Sequence, residues 1–222
     1  MELFRSPISF RESKSEGNRK IAVVPAGYGV GASFIAAQTA MHLGGKVSLA
    51  ELGKPYFYLS LDMEKQFCGR EFIFYEECSK ESYSETENML FGINWLVRRP
   101  NAEGNVDYRR LLKLLSFPPK GNLILDFSRV CEDMIIDCLS EMDQVYLVLD
   151  PLPSKLIESA AFIEKIRLLF PSALLIVNKM NKGVHKNELR RFLGNCEIKE
   201  IPFYPPHVIY KAEYNCCLPD FT

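Results

Sequence analysis

Residues 21–33 read Ile21-Ala22-Val23-Val24-Pro25-Ala26-Gly27-Tyr28-Gly29-Val30-Gly31-Ala32-Ser33, and this stretch decides the fold. An apolar run, Ile21 to Val24, enters a glycine-rich turn, and a helix-like segment, Phe34 to Leu43, leaves it. Strand, glycine turn and helix in that order make a phosphate-binding architecture. Glycines let backbone N–H groups turn inward towards a polyphosphate, and the helix N-terminus adds partial positive charge. A loop of this kind that performs phosphoryl transfer carries Lys immediately before its Ser or Thr. Here that position is Ala32, so the loop can cradle phosphate but lacks the catalytic cation.

Outward from the loop, short β-rich runs alternate with helical segments. The first series predicts strand 20–25, loop 26–33, helix 33–44 and strand 46–51. Later, Asn122 to Phe127, Gln144 to Leu149 and Ala173 to Val177 are continuous apolar runs, the pattern of strands covered on both faces of a parallel sheet. Glu132 to Glu141 and Lys155 to Phe170 carry apolar residues at helical spacing, and Pro171 stops the second. The fold class expected is α/β: a doubly wound, mostly parallel sheet with helices on both faces in three layers. The middle is less regular. Gly69 to Glu77 reads as a strand or a buried extended piece, Glu81 to Leu90 as weakly helical, and Asp107 to Leu115 as an amphipathic helix.

With 222 residues, 47% of them hydrophobic, and 27 basic against 28 acidic side chains, the chain suits one globular domain with a sizeable core. Residues 1–19 read as a polar mobile arm ahead of a single domain, 20–222. A net charge of −1 supplies no global attraction for nucleic acid or anionic membrane. Arg109, Arg110 and Lys113 read as a solvated helix face, not a nucleic-acid surface. No apolar run approaches the roughly 20 residues that span a bilayer. Seven cysteines without a C-x-x-C pair, and no apolar leader, point to a reducing cytoplasm. His42, His185 and His207 read as structural or solvated.

The order of motifs resembles the ParA/MinD family, the deviant-Walker P-loop ATPases that position bacterial cell machinery, over roughly residues 20 to 214. The family loop Lys-Gly-Gly-x-Gly-Lys-Thr corresponds to Gly27-Tyr28-Gly29-Val30-Gly31-Ala32-Ser33, so both family lysines are missing, at Gly27 and Ala32. The resemblance implies that Gly27, Gly29, Gly31 and Ser33 form the phosphate nest. Leu123-Ile124-Leu125-Asp126 is similar to the Walker B run, which implies that Asp126, with Ser33, holds magnesium. Glu51 ends a segment similar to the family's second strand and takes over the carboxylate that orients attacking water or assists the metal. Asp126 and Glu51 are thus the candidate catalytic pair. Ile176-Val177-Asn178-Lys179 resembles the strand whose terminal Asn contacts adenine, which assigns that task to Asn178. Glu200-Ile201-Pro202 is similar to the I-P-x-D segment that frames the base, with aromatics and prolines in place of the Asp.

The implied cofactors are ATP and magnesium, and the implied function is a nucleotide-binding switch or scaffold that positions a partition, pilus or secretion apparatus. Without the lysine, binding is expected to be weak or absent and hydrolysis poor, so the chain reads as a degenerate ATPase more than as an enzyme. The atypical loop is similar to those of the TadZ/CpaE pilus-positioning branch. Protein partners are expected, including a homodimer, although the lysine that reaches across the family's dimer is missing. The end of the chain, Asn215 to Thr222, is too short and Pro-broken for a MinD-type membrane helix. Three other readings stay open. Gly27-x-Gly29-x-x-Ala32 with Glu51 fits an NAD(P)-binding Rossmann domain. Tyr28 could fill an empty loop in a pure interaction module. A slow ATPase could borrow a cation such as Lys179 or Arg98.

Overall fold

The computed structural model describes residues 18–209, apart from 44, 103–105 and 195. The expected arm therefore falls outside the described residues except for Asn18 and Arg19, and so do the tail from 210 onward and its Cys216 and Cys217. Asn18 and Arg19 are not free of the domain. Asn18 Oδ1 accepts from Gly121 N at 3.0 Å, and the Arg19 carbonyl accepts from Leu123 N at 2.7 Å.

The strands are β1 (Lys20–Pro25), β2 (Val47–Glu51), β3 (Met89–Leu90), β4 (Ile93–Leu96), β5 (Asn122–Asp126), β6 (Gln144–Leu149), β7 (Leu174–Met180) and β8 (Ile198–Pro202). They form one sheet in the order β3-β4-β2-β5-β1-β6-β7-β8. Every pairing is parallel except β3 with β4. The helices are α1 (Ala32–His42), α2 (Phe57–Ser60), α3 (Met63–Gln66), α4 (Ser82–Glu85), α5 (Tyr108–Ser116), α6 (Glu132–Leu139), α7 (Pro153–Leu169) and α8 (Lys186–Leu193).

Alternation along the strands divides the core between the two faces. Ala22, Val24, Leu123, Leu125, Leu147 and Leu149 join one cluster with Leu111, Leu114, Ile135, Leu156 and Ile163 from α5, α6 and α7. Ile21, Val23, Ile124 and Val148 join the other, with Ile35 and Ala36 of α1 and with Phe57, Met63 and Trp95. Both faces are dry, which is why these strands read as unbroken apolar runs. The chain leaves β1 to build β2, β4 and β5 on one side, then crosses to build β6, β7 and β8 on the other. The connections diverge at the carboxyl end of β1, the place where open α/β sheets form ligand crevices.

The regular strands and long helices match the sequence expectations within a few residues. Asp107 caps α5, its carboxylate accepting from Arg109 N at 3.0 Å and Arg110 N at 3.3 Å. The middle differs. The stretch before Tyr75 pairs with no strand, and the weak helix expected from Glu81 shrinks to the single turn α4. Side-chain hydrogen bonds organise this region, and they leave no periodic mark in a sequence. Buried Asn88 accepts from Ile73 N at 3.2 Å and donates to the carbonyls of Ile73 at 2.7 Å and Trp95 at 2.9 Å. Its own N–H donates to Asn94 Oδ1 at 3.1 Å. Around that polar staple, Tyr58, Phe67, Phe72 and Phe74 pack ring against ring at centroid distances of 4.9–5.3 Å.

Replacing Asn88 with Ala removes the partner of the half-buried Ile73 N–H and carbonyl and of the buried Trp95 carbonyl, and a buried group left without its partner costs about 1–3 kcal/mol. Asn88→Ala is therefore expected to lower the unfolding free energy by at least that much in urea titration, whereas a midpoint equal to wild type shows that the staple does not hold the middle together.

Candidate functional site

The glycine loop occupies the crevice at the end of β1. Ala26 N donates to the Val148 carbonyl at 2.9 Å, and Ile35 N takes up the Gly31 carbonyl at 3.1 Å to begin α1. Gly29 (φ 70°) and Gly31 (φ 88°) are both left-handed, the conformation that turns successive N–H groups to one side. Gly31 is required twice over, because a Cβ there would also run into the Asn178 amide. No side chain caps α1, so its first N–H groups carry the helix's partial positive charge towards the loop.

The loop borders a cavity of about 920 Å³ whose wall includes Gly27 to Ser33, Lys54, Tyr56, Ser128 and Arg129. Ser33 Oγ donates to Ser128 Oγ at 3.0 Å, and Ser128 N donates to Asp126 Oδ1 at 2.9 Å. Ser128 Oγ, which accepts from Ser33, in turn donates to the Asp126 carboxylate. Ser33 and Asp126, singled out from the sequence, are thus brought together, joined by Ser128, which the sequence did not single out. Burial pushes the Asp126 carboxyl up, opposed by those hydrogen bonds. The oxygen-only character of the group suits a hard cation such as magnesium. Among the described residues no cluster of three or more His, Cys, Asp and Glu side chains could hold a metal.

Glu51 is placed differently. It stands beside Asp126 in the β2–β5 register but is only 2% exposed. Oε1 accepts from Tyr56 N at 2.6 Å and Phe57 N at 3.0 Å, and Oε2 accepts from Arg98 N at 3.2 Å. Its carboxylate anchors the backbone after β2 and at the end of β4. Water orientation, metal assistance and ribose binding would each have to share these oxygens with the N–H groups of Tyr56, Phe57 and Arg98.

Asn178 and Lys179 reach the loop from the end of β7. Asn178 Nδ2 donates to the Val30 carbonyl at 2.8 Å, and its Oδ1 accepts from Lys179 N at 2.9 Å. Lys179, itself left-handed at φ 62°, donates from Nζ to the Gly29 carbonyl at 2.6 Å and pairs with Asp150 Oδ2 at 2.8 Å. Asn178 therefore holds the loop, and it also borders a cavity of about 380 Å³ with Phe34, Phe203, Tyr204 and Ile209. Arg98, the other borrowed cation considered, is 6% exposed and pairs with Glu76 at 3.0 Å. Tyr28 does not fill the loop; it is 71% exposed, and its hydroxyl accepts from Arg129 Nη2 at 3.0 Å. Arg129 had no motif signal beyond standing three residues after Asp126.

Burial is the largest influence on Glu51, pushing it up to about 8, with repulsion from Asp126 in the same direction and the Phe57, Arg98 and Tyr56 N–H groups opposing. The folded protein thus keeps a proton that the unfolded chain, at its ordinary 4.5, has already released. The resulting stabilisation is full below 4.5 and is lost as pH rises through about 8. Unfolding free energy should fall across that window by up to ~1.4 kcal/mol per pH unit, and Glu51→Gln should flatten the slope. A slope unchanged in Glu51→Gln, read by urea titration at a series of pH values, would show that Glu51 stays ionised throughout.

No protein-family model matches the chain, and no curated protein matches it. Solved structures do. The chain is similar to a ParA family ATPase from Chlorobium tepidum (TM-score 0.68, 17% identity, 90% of each chain covered). It is equally similar to a putative plasmid partition protein from Borrelia burgdorferi bound to AMPPNP (0.68, 16%, 92% of each). The septum site-determining protein MinD from Pyrococcus horikoshii, complexed with Mg-ADP, follows (0.65, 15%, 91% of this chain and 87% of that one). The chain has the fold of the ParA/MinD ATPases.

Proposed function

We propose that this protein is a nucleotide-responsive switch or scaffold that positions cell machinery, binding ATP weakly with magnesium and hydrolysing it poorly. The observation that carries the reading is the left-handed Gly29–Gly31 loop opening α1 beside the Ser33–Ser128–Asp126 group, with no lysine in the loop. Two of the similar structures hold an adenine nucleotide. The residues present fit the group only in part. Backbone N–H groups of the loop and of the first turn of α1 suit the phosphates, while Ser33 and Asp126 supply oxygens for magnesium, which when bound would neutralise phosphate charge. Phe34, Asn178 and Tyr204 border the smaller cavity beside the loop, where a base would lie. The lysine that stabilises charge on a transferring phosphoryl group is replaced by Ala32, so binding is retained better than transfer.

The ParA-type and MinD-type neighbours are partition and septum-site proteins, and a role in placing a protein assembly follows from that likeness. Partners are then proteins, including a second copy of the chain. No helix among the described residues is long and apolar enough to cross a membrane.

Thermal unfolding with ATP, ADP, NAD or NADP, each with and without magnesium, tests the reading. Ligand at 100 times its Kd adds ~2.7 kcal/mol to the native state, enough for a shift of several degrees. Mg-ATP is expected to raise Tm in wild type and not in Asp126→Ala, with Ala32→Lys tightening ATP by about tenfold through the restored charge. A shift with NAD or NADP alone would replace this reading with a dinucleotide-binding one.

A further inference from the structure

A phosphate site built from backbone N–H groups alone is electrostatically weak, so the cations around the cavity decide how it holds a polyanion. Two of the nearby cations have carboxylate or carbonyl partners. Lys179 is paired with Asp150 and the Gly29 carbonyl, and Arg98 with Glu76 and the Gly53 carbonyl. Arg129 and Lys54 remain in the cavity wall, together with one acid, Glu132. Among the described residues neither cation forms an ion pair, and Lys54 makes no hydrogen bond that would aim it.

Arg129 is aimed. Its backbone is left-handed (φ 63°), and the chain on either side is held in place. Ser128 is tied to Asp126 and to Ser33 of α1. Gly53 packs so closely below that a Cβ there would run into the Ser128 carbonyl oxygen. From this position the guanidinium crosses the cavity to Tyr28 in the glycine loop. It lies 5.1 Å from the ring centroid, with Nη2 donating to the hydroxyl at 3.0 Å. A neutral phenol satisfies one of five N–H donors, whereas a phosphate oxygen pair accepts two and is charged.

Accepting the reading that the cavity takes a polyphosphate, we propose that Arg129 supplies, from the loop after β5, the positive charge that the glycine loop lacks, with Tyr28 holding its guanidinium across the cavity until phosphate takes over those bonds. The cation thereby comes from the segment that also carries Asp126 and Ser128, so binding an anion pulls on the same loop that meets the metal group. Tyr28 competes with the ligand for Nη2, and removing its hydroxyl frees the guanidinium without removing the ring beneath it.

Isothermal titration with tripolyphosphate and with Mg-ATP, at low and moderate salt, tests this on the full chain. Arg129→Ala is expected to weaken both by about tenfold or more and to reduce the salt dependence, with Arg129→Lys recovering part of the loss. Tyr28→Phe is expected to bind at least as tightly as wild type, and Lys54→Ala to change affinity by less than Arg129→Ala. Arg129 is exposed, so urea midpoints should confirm that the variants fold. Wild type binding both ligands while Arg129→Ala binds them equally well overturns the inference and leaves the proposed function standing. Failure of wild type to bind tripolyphosphate and every nucleotide overturns both.

Discussion

The glycine loop can exist in this molecule because β7 holds it. A run of left-handed glycines has little conformational preference of its own and loses more backbone freedom on folding than any other sequence. Here the loop's outward carbonyls are taken by neighbours: Val30 by the Asn178 amide, Gly29 by the Lys179 ammonium. Asp150 at the end of β6 steadies that ammonium, and its other oxygen accepts from Leu152 N at 3.1 Å ahead of α7. The Gly29 and Val30 carbonyls are thus both engaged from the β7 side. The cradle therefore depends on β6 and β7 as well as on the glycines.

Charge on the other side of β1 is arranged under a different constraint. The β2–β5 register brings Glu51 and Asp126 side by side at the sheet's edge of chemistry, both nearly inaccessible to water. Two adjacent buried carboxylates can be tolerated only with dense hydrogen bonding or a retained proton. Glu51 receives three backbone N–H groups, and Asp126 receives the Ser128 hydroxyl and N–H. The donors differ in kind. Backbone N–H groups fix Glu51 in place, whereas the Ser128 hydroxyl on Asp126 can rotate; on the proposed function, Asp126 is the carboxylate that would exchange a partner for a cation.

Much of this was legible in the sequence, and the exceptions share a cause. Strands β1, β5 and β6 announce themselves because both sheet faces are covered, so every residue must be apolar. Helices α5, α6 and α7 follow from their spacing. The glycine loop, Ser33 and Asp126 are contiguous motifs and were found as such. What was missed lacks a periodic mark: Asn88 bridging Ile73 and Trp95, the four-residue β4 interrupted by Asn94 and preceded by Gly92, and α8, whose buried side is only Leu189 and Leu193 among charged neighbours. The resemblance assigns Asn178 to the base, and its bond to Val30, 148 residues away, is a contact that the sequence does not display. Glu51 shows the same limit, since nothing in Val47 to Glu51 reveals that Tyr56, Phe57 and Arg98 will point their N–H groups at it.

Loss of the loop lysine has a structural consequence as well as a chemical one. A lysine in the first turn of α1 would place its own cation in the cavity and leave Tyr28 and Arg129 no reason to meet across it. With Ala32 there, the helix begins on a small buried residue that packs with Val30 and Ile35 against the sheet. Positive charge around the loop is then held by side chains outside it, Lys179 at the loop's carbonyls and Arg129, with Lys54, in the cavity wall. A cation fixed within the P-loop is present in every state of the loop. One carried on the segment after Asp126 is placed by that segment's conformation, here with Arg129 left-handed and Gly53 packed beneath Ser128. Anion affinity and the conformation of that segment are then linked reciprocally, each favouring the other by the same factor. On the proposed function that coupling would need no hydrolysis, so a loop without its catalytic lysine would still serve as a switch.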